Sequence, residues 1–418
     1  MSRCVSCGDQ LFSDIVYIGN QYPSAVFISE DTPKIESSSL NVTKCKNKRC
    51  ELVQLSNRRN LDSIFEHYPY DSSSTASMKG ILFDIVKDIS NTVSLNSEDV
   101  VLDIGGNDGT LLDLINTPIK AKVNIDAAAD VNQVCKDPNY IHIHSKFNSS
   151  VYRNTGLPNP RLIFSVAMFY HLSDPLQFCY NVKEIMNDDT VWVLQMTHLG
   201  SMLKDKIVDN IVHEHVAYYS LRSLQFLLSQ AELYVVDAQI VESYGGSLRV
   251  FIVKDRDKYP KDKLRKRYWD VVKFETDHKT NSDENLYVFN ENIKALQSTL
   301  KSLMDHLTEV NGPIWGFGAS TKGNMLLQFL GFSTDHISHI LDNNPKKIGK
   351  RTSGSMIPII DENTNLKNSP KYLMVLPYYY KKTFIPIIKK QIPKGHVVYL
   401  FVPLPYPHFI SIMGDYEK

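Results

Sequence analysis

The sequence predicts an α/β protein made of two Rossmann-like, doubly wound domains and a small zinc-binding N-terminal domain. Three observations carry that expectation. Four cysteines stand in two close pairs near the N-terminus, short β-branched runs alternate with helical ones through the middle of the chain, and a second, shorter series of the same kind closes it. With 418 residues the chain has room for several domains and a sizeable core. Lys+Arg and Asp+Glu are both 46, so the net charge is zero and no broad field exists for nucleic acid or an anionic membrane. Hydrophobic residues make 43% and charged residues 22%, a globular balance. No apolar window reaches the length a membrane helix needs. The start, MSRCVSCGDQLFSD, lacks the basic-then-apolar pattern of a secretory signal. A cytoplasmic, reducing setting is therefore expected, where cysteines serve metal or chemistry rather than disulfides.

The N-terminal domain is expected over residues 1–66. Its pairs, Cys4-x2-Cys7 and Cys45-x4-Cys50, have the layout of a tetrahedral Cys4 zinc site, in which each short spacing puts two thiolates on one turn. Gly8 after Cys7 suits that turn. Four thiolates leave no open position for substrate, so the zinc would be structural.

The first doubly wound domain is expected over residues 67–254, beginning within the aromatic stretch Phe65 to Tyr70. The runs at 99–104, 122–125, 140–143, 161–167 and 191–196 read as buried parallel strands with helices between them. Where the first ends, Asp103-Ile104-Gly105-Gly106-Asn107-Asp108-Gly109-Thr110 offers small residues that admit a ligand close to the backbone, at the edge where open α/β sheets bind. The spacing is not G-x-G-x-x-G. Asp126, at the end of the second strand, is placed to accept ribose hydroxyls. Together these features indicate S-adenosylmethionine, with Gln195 on the fifth strand included in the expected cofactor set. Downstream, His213-Glu214-His215 pairs an imidazole with a carboxylate, a pattern for acid–base work. Glu242-Ser243-Tyr244-Gly245-Gly246-Ser247-Leu248-Arg249 could receive a phosphate or sugar hydroxyl on Arg249.

Residues 255–308 read as a charged helical connector, whose Phe289, Ile293, Leu296, Leu300, Leu303 and Leu307 form one amphipathic stripe closed by Gly312-Pro313. Residues 309–418 read as the second Rossmann-like domain. Its loop Gly316-Phe317-Gly318-Ala319-Ser320-Thr321-Lys322-Gly323 opens a helix with backbone N–H groups, hydroxyls and a cation fit for a pyrophosphate. Gly318, Ser320, Lys322 and Asp342, after the next strand, are the candidate contacts. Because that acid is also where a dinucleotide fold places one, NAD remains an alternative ligand.

These motifs together resemble the S-adenosylmethionine-dependent C-methyltransferases that act on nucleotide-linked keto-deoxysugars. The resemblance rests on the cysteine pairs, VLDIGGNDGTLL, YHLSDP, HEHVAYYSL, YGGSLRV, GFGASTKGN, DNNPKKIGK and the closing VPLP, and spans nearly the whole chain. It implies that His215 is the general base, Glu214 its acidic neighbour, His171 the histidine of the strand-four loop and Tyr70 an aromatic reaching the active site. It also implies a nucleotide-diphosphate sugar as substrate. Two positions depart from the family: Val212 stands where it commonly has Tyr, and Tyr244 where it commonly has His. A monomer with no nucleic-acid or membrane partner is expected. The alternatives are an O- or N-methyltransferase of a sugar nucleotide and an NAD-dependent sugar-nucleotide oxidoreductase.

Overall fold

The computed structural model describes residues 3–58, 71–129, 131–257 and 265–415. Four short strands come first: β1 (Val16–Gln21), β2 (Phe27–Ile28), β3 (Ser38–Lys44) and β4 (Val53–Leu55). β3 pairs antiparallel with both β1 and β4. Val16, Ile18, Leu40, Val42, Val53 and Leu55 bury in one core, following the two-residue period of a pleated strand.

Helix α1 (Ala76–Ser90) follows, its N-terminus capped by the Thr75 hydroxyl, which accepts from the Met78 amide. Strands β5 (Val100–Ile104), β6 (Ala121–Asp126), β7 (Tyr140–His144), β8 (Leu162–Val166) and β9 (Val191–Thr197) come next, all parallel. Each coincides with one of the apolar runs read from the sequence. β5 and β9 are buried along their whole length, as strands covered on both faces must be. Helices α2 (Thr110–Asp113), α3 (Ser149–Arg153), α4 (Pro175–Ile185), α5 (Leu199–Lys204) and α6 (Leu221–Gln230) accompany strands β10 (Ala217–Tyr218), β11 (Tyr234–Val241) and β12 (Ser247–Val253). The seven-stranded sheet runs β11-β12-β9-β8-β5-β6-β7, with β12 antiparallel to β9. The winding reverses between β5 and β8, so their carboxyl ends frame a crevice.

Helix α7 (Lys266–Asp277) leads to the long α8 (Asp283–Asn311), capped by Ser282 and ended at Gly312, whose φ is 73°. Leu286, Phe289, Ile293, Leu296, Leu300 and Met304 form the buried stripe of α8. The second sheet is built from β13 (Ile314–Phe317), β14 (Ile337–Asp342), β16 (Ile359–Asp361), β17 (Tyr372–Val375), β18 (Val397–Val402) and β19 (His408–Met413), in the order β16-β14-β13-β17-β18-β19. It is parallel except for β19. Helices α9 (Thr321–Leu330), α10 (Glu362–Asn365) and α11 (Lys381–Gln391) and the small strand β15 (Arg351–Thr352) complete the domain. The winding again reverses at the first strand, β13, between β14 and β17. Among the described residues no helix is long and apolar enough to cross a membrane.

The N-terminal strands are stitched into both larger domains. β4 pairs with β10, Val53 opposite Tyr218, and β2 pairs with β15, Phe27 opposite Thr352. One continuous core joins β1, β3 and β4 with Leu199 to Val212, α8 and the second sheet.

Candidate active site

The carboxyl ends of both sheets open on one cavity of about 1490 Å³. Gly105, Asn107 and Asp126 line it from the first domain, and Gly318, Ser320, Lys322 and Asp342 from the second. Three non-glycine residues on its wall, Asn107, Ala167 and Tyr244, hold left-handed backbone with φ of 53°, 55° and 54°. Such conformations cost free energy and concentrate where function needs them.

In the first loop, a Cβ on Gly106 would lie 2.5 Å from both Asp103 Oδ2 and Asn124 Oδ1, so only glycine fits. Gly105, with φ of 74°, faces Met168, whose Cγ would be 3.0 Å from an added Cβ. Asp126 anchors the loop: its Oδ2 accepts from the Asn107 amide at 2.7 Å and its Oδ1 from the Ala128 amide at 2.7 Å. Asp103, Gly106, Asp108 and Thr110 do not line the cavity; they shape its floor. Burial, then the charges of Asp126 and Asp108, push the Asp103 carboxyl up to about 7. Asp108 Oδ1 accepts from the Thr110 hydroxyl at 2.6 Å, and its Oδ2 from the Ser73 amide at 2.7 Å. Asn107 Oδ1 accepts from the Ser72 amide at 2.8 Å, so the segment after Asp71 straps across the loop. A buried floor, a glycine approach and a carboxylate at the end of β6 fit the adenosine part of S-adenosylmethionine. Asp126→Ala is expected to weaken binding of adenosylhomocysteine by about 1 to 3 kcal/mol, read by calorimetry. Undiminished binding would place the ribose elsewhere.

The second loop repeats this arrangement. Asp342 Oδ2 accepts from the Ala319 amide at 2.7 Å and Oδ1 from the Asn344 amide at 2.8 Å. Gly318, with φ of 82°, passes so close to Pro377 that a Cβ would lie 2.8 Å from its ring. Ser320 caps α9 by accepting from the Gly323 amide at 2.9 Å. Lys347 Nζ donates to the Ala319 carbonyl at 2.7 Å and ties the turn after β14 to the loop.

The His213-Glu214-His215 segment forms a turn between the two domains, and its three side chains diverge. His213 Nε2 meets Ser38 Oγ at 3.0 Å, and Glu214 Oε1 accepts from the Ala25 amide at 3.1 Å. Only His215 lines the cavity. Its Nδ1 donates to the Asn210 carbonyl at 2.8 Å, which leaves the lone pair of the neutral ring on Nε2. The tautomer is thus set by a carbonyl, and Glu214 serves to pin the N-terminal segment instead. Burial first, then the neighbouring His171 and Lys322, hold His215 well below the usual histidine range. His171, also on the cavity wall, stacks on His215 with ring centroids 5.4 Å apart, and burial draws it down to about 3. The Val216 amide donates to the Tyr170 carbonyl at 2.8 Å, binding this turn to the loop after β8.

Two expected contacts lie away from the cavity. Arg249 is fully buried and donates to Asp84 at 2.7 Å, Asp88 at 3.0 Å and Gln195 Oε1 at 2.7 Å. Gln195 Nε2 in turn donates to Ser243 at 3.2 Å. Both residues bind α1 and the Ser243–Gly246 turn to the sheet. Tyr70 lies outside the described residues. Sequence reasoning passed over Asp209, Tyr378 and the tyrosines Tyr379 and Tyr380, which line the cavity beside Tyr244 or stand behind its wall. Three consecutive tyrosines after β17, at the binding edge of the second sheet, were the available signal.

Outside the cavity lining, the sulfurs of Cys4, Cys7, Cys45 and Cys50 all lie within 4.8 Å of one another. Cys4 and Cys50 are 3.7 Å apart, and Cys7 and Cys45 3.5 Å, close to the ~3.8 Å edge of a tetrahedron with metal–sulfur bonds of ~2.3 Å.

Two family profiles match the chain in succession: a methyltransferase domain over residues 76–238 and a C-methyltransferase C-terminal domain over residues 242–405. With the glycine loop and Asp126 at the carboxyl edge of its first sheet, the protein is an S-adenosylmethionine-dependent methyltransferase. The match over residues 242–405 is to the C-terminal domain of C-methyltransferases. The C-methyltransferase NovU of Streptomyces niveus is 26% identical over 416 residues, 98% of this chain and 97% of its own. Among solved structures, a putative methyltransferase of Haloferax volcanii in complex with Trm112 is 12% identical and aligns with 48% of this chain and 99% of its own at a TM-score of 0.36. A methyltransferase of Aquifex aeolicus is 19% identical over 44% of this chain and 100% of its own, at a TM-score of 0.32.

Proposed function

We propose that the protein C-methylates a nucleotide-linked keto-deoxysugar, with His215 as the base that takes the proton next to the ketone. The observation that carries this reading is His215 itself: neutral, oriented by the Asn210 carbonyl, and set in a wall shared by two glycine loops. S-adenosylmethionine, when bound at the first loop, supplies an electrophilic methyl whose S–C bonding pair returns to sulfur. A carbon nucleophile must be made to meet it. Nε2 of His215 removes the proton, the C–H pair forms the enolate double bond, and the carbonyl π pair moves to oxygen. His171 lies against His215 as a candidate partner of that oxygen, and its buried setting strengthens a hydrogen bond made to it.

The second loop supports a nucleoside diphosphate as the handle of the sugar. Its Asp342 repeats the carboxylate–amide pattern of Asp126, and Ser320 and the α9 N-terminus offer donors to phosphate. The nearly full-length likeness to NovU, a C-methyltransferase, favours this over an oxygen or nitrogen acceptor. The four cysteines suit one structural zinc, which has no open position and takes no part in the proton transfer.

Wash-in of deuterium from solvent separates the readings. A nucleoside-diphosphate keto-deoxysugar incubated with protein and adenosylhomocysteine should exchange the proton beside its ketone, by mass spectrometry. An oxygen methylator has no reason to do so, and absence of exchange across available keto-sugar nucleotides would sink the carbon reading. Tighter binding of NAD than of nucleoside diphosphate would point to the oxidoreductase.

A further inference from the structure

We infer that Lys322 and Tyr378 of the C-terminal domain, with Asp209 of the Val208–Asn210 turn, form a positioning set for His215. The inference rests on the reading of His215 as the base. The turn presents two consecutive residues in two directions. The Asn210 carbonyl accepts the His215 Nδ1 proton at 2.8 Å, and the Asp209 carboxylate accepts from the Tyr378 hydroxyl at 3.1 Å. Helix α9, which carries Lys322, packs on the same turn.

Lys322 is an unusual cation. Its Nζ is sealed from solvent and has no hydrogen-bond acceptor among the described residues. It sits instead over the rings of Tyr244 and Tyr379, at 5.6 and 5.3 Å from their centroids. Burial lowers its proton affinity and the Asp209 charge opposes that loss. A buried ammonium held over two aromatic faces, with the Asp209 charge already acting on it, is poorly suited to a phosphate. Its field does reach His215 and disfavours a second positive charge there. Among the described residues, the other titratable groups against the base are His171 and Tyr170, both neutral through burial; Glu214 and His213 turn away to Ala25 and Ser38. Lys322 therefore keeps the resting imidazole unprotonated, while Tyr378 and Asp209 hold the turn whose carbonyl aims it. The contact between the two domains and the aim of the base thus share one turn.

The test is read on the full-length, unliganded protein carrying ¹⁵N,¹³C-histidine, with His215 assigned by loss of its signals in His215→Gln. In wild type, His215 stays neutral with Nδ1 protonated through the mildly acidic range. Lys322→Met should move its titration up by about one pH unit or more, the sign expected on removing a like charge, and Lys322→Arg should restore wild-type behaviour. Tyr378→Phe, which removes only a hydroxyl, should speed solvent exchange of the His215 Nδ1 proton by about tenfold. An unmoved titration in Lys322→Met overturns the inference; should that variant not fold, unchanged exchange in Tyr378→Phe overturns it. These readouts need no substrate, so they stand or fall apart from the reaction: a fully active His215→Ala variant would remove the base assignment and leave the coupling measured.

Discussion

His215→Ala is expected to lower methyl-transfer turnover by about 100- to 10,000-fold while adenosylhomocysteine binds nearly as well as to wild type. A positioned general base contributes about that factor, and the first glycine loop, with Asp126 and Asn107, is built without the histidine. The pH dependence follows from burial and from the two neighbours. Because the folded-state affinity of His215 for protons lies below the ordinary value near 6.5, the acid limb of kcat/KM should lie well below that value. The same shift bears on stability. The unfolded chain binds a proton at this residue as pH drops through about 6.5 and the folded chain does not, so folding loses free energy below that pH. His171, drawn down to about 3, acts in the same direction. Should His215→Ala keep most of its activity while His171→Ala does not, the base is His171.

The second large effect is expected at the cysteines. Cys50→Ser, or prolonged chelation of the wild-type protein, should release one zinc per chain and unfold the N-terminal sheet, lowering the melting temperature and abolishing activity. Structural zinc contributes about 10 to 16 kcal/mol to the folding of small peptides, as much as the whole stability of an ordinary domain. Here the cluster adjoins Leu52 and β4, and β4 carries β10, which continues directly from the His215 turn. Loss of metal should therefore reach the base through the sheet. A protein purified without chelator that holds no zinc, or a Cys50→Ser variant with unchanged melting, would show the thiols to be merely buried.

Much of this architecture is legible in the sequence because its strands are buried on both faces. A run such as Val100-Val101-Leu102-Asp103-Ile104 is continuous and β-branched, and the glycines after it mark the carboxyl edge without ambiguity. The stripe of α8 is legible for the matching reason, a 3.6-residue period on one covered face. Other features leave no local trace. Ala217–Tyr218 is too short to carry a pattern, and only its partner, far back in the chain, makes it a strand. Neighbours in sequence also mislead about contact: Glu214 and His215 are adjacent, yet the turn sends one to Ala25 and the other to Asn210. Arg249 reads as a ligand-facing donor after two glycines, but the strand it occupies turns it inward to Asp84 and Asp88. Asp209 is hidden by its setting, since a carboxylate between valine and asparagine in an apolar stretch acquires meaning only when Tyr378 and Lys322 arrive from the other domain.

The pairing of β2 with β15 and of β4 with β10 also sets the order in which the protein can be finished on the ribosome. The strands made first are the ones completed late. Phe27 cannot meet Thr352, nor Val53 Tyr218, until the long stretch between them has been polymerised. Contacts of such long sequence separation form slowly, and until they do the open edges of β2 and β4 can pair with other chains. A prematurely terminated product, or one made faster than its middle domain folds, would present those edges to its neighbours. Ligation of the cysteines, whose four members all lie within residues 4–50, would be a step able to give that segment a fixed shape while it waits.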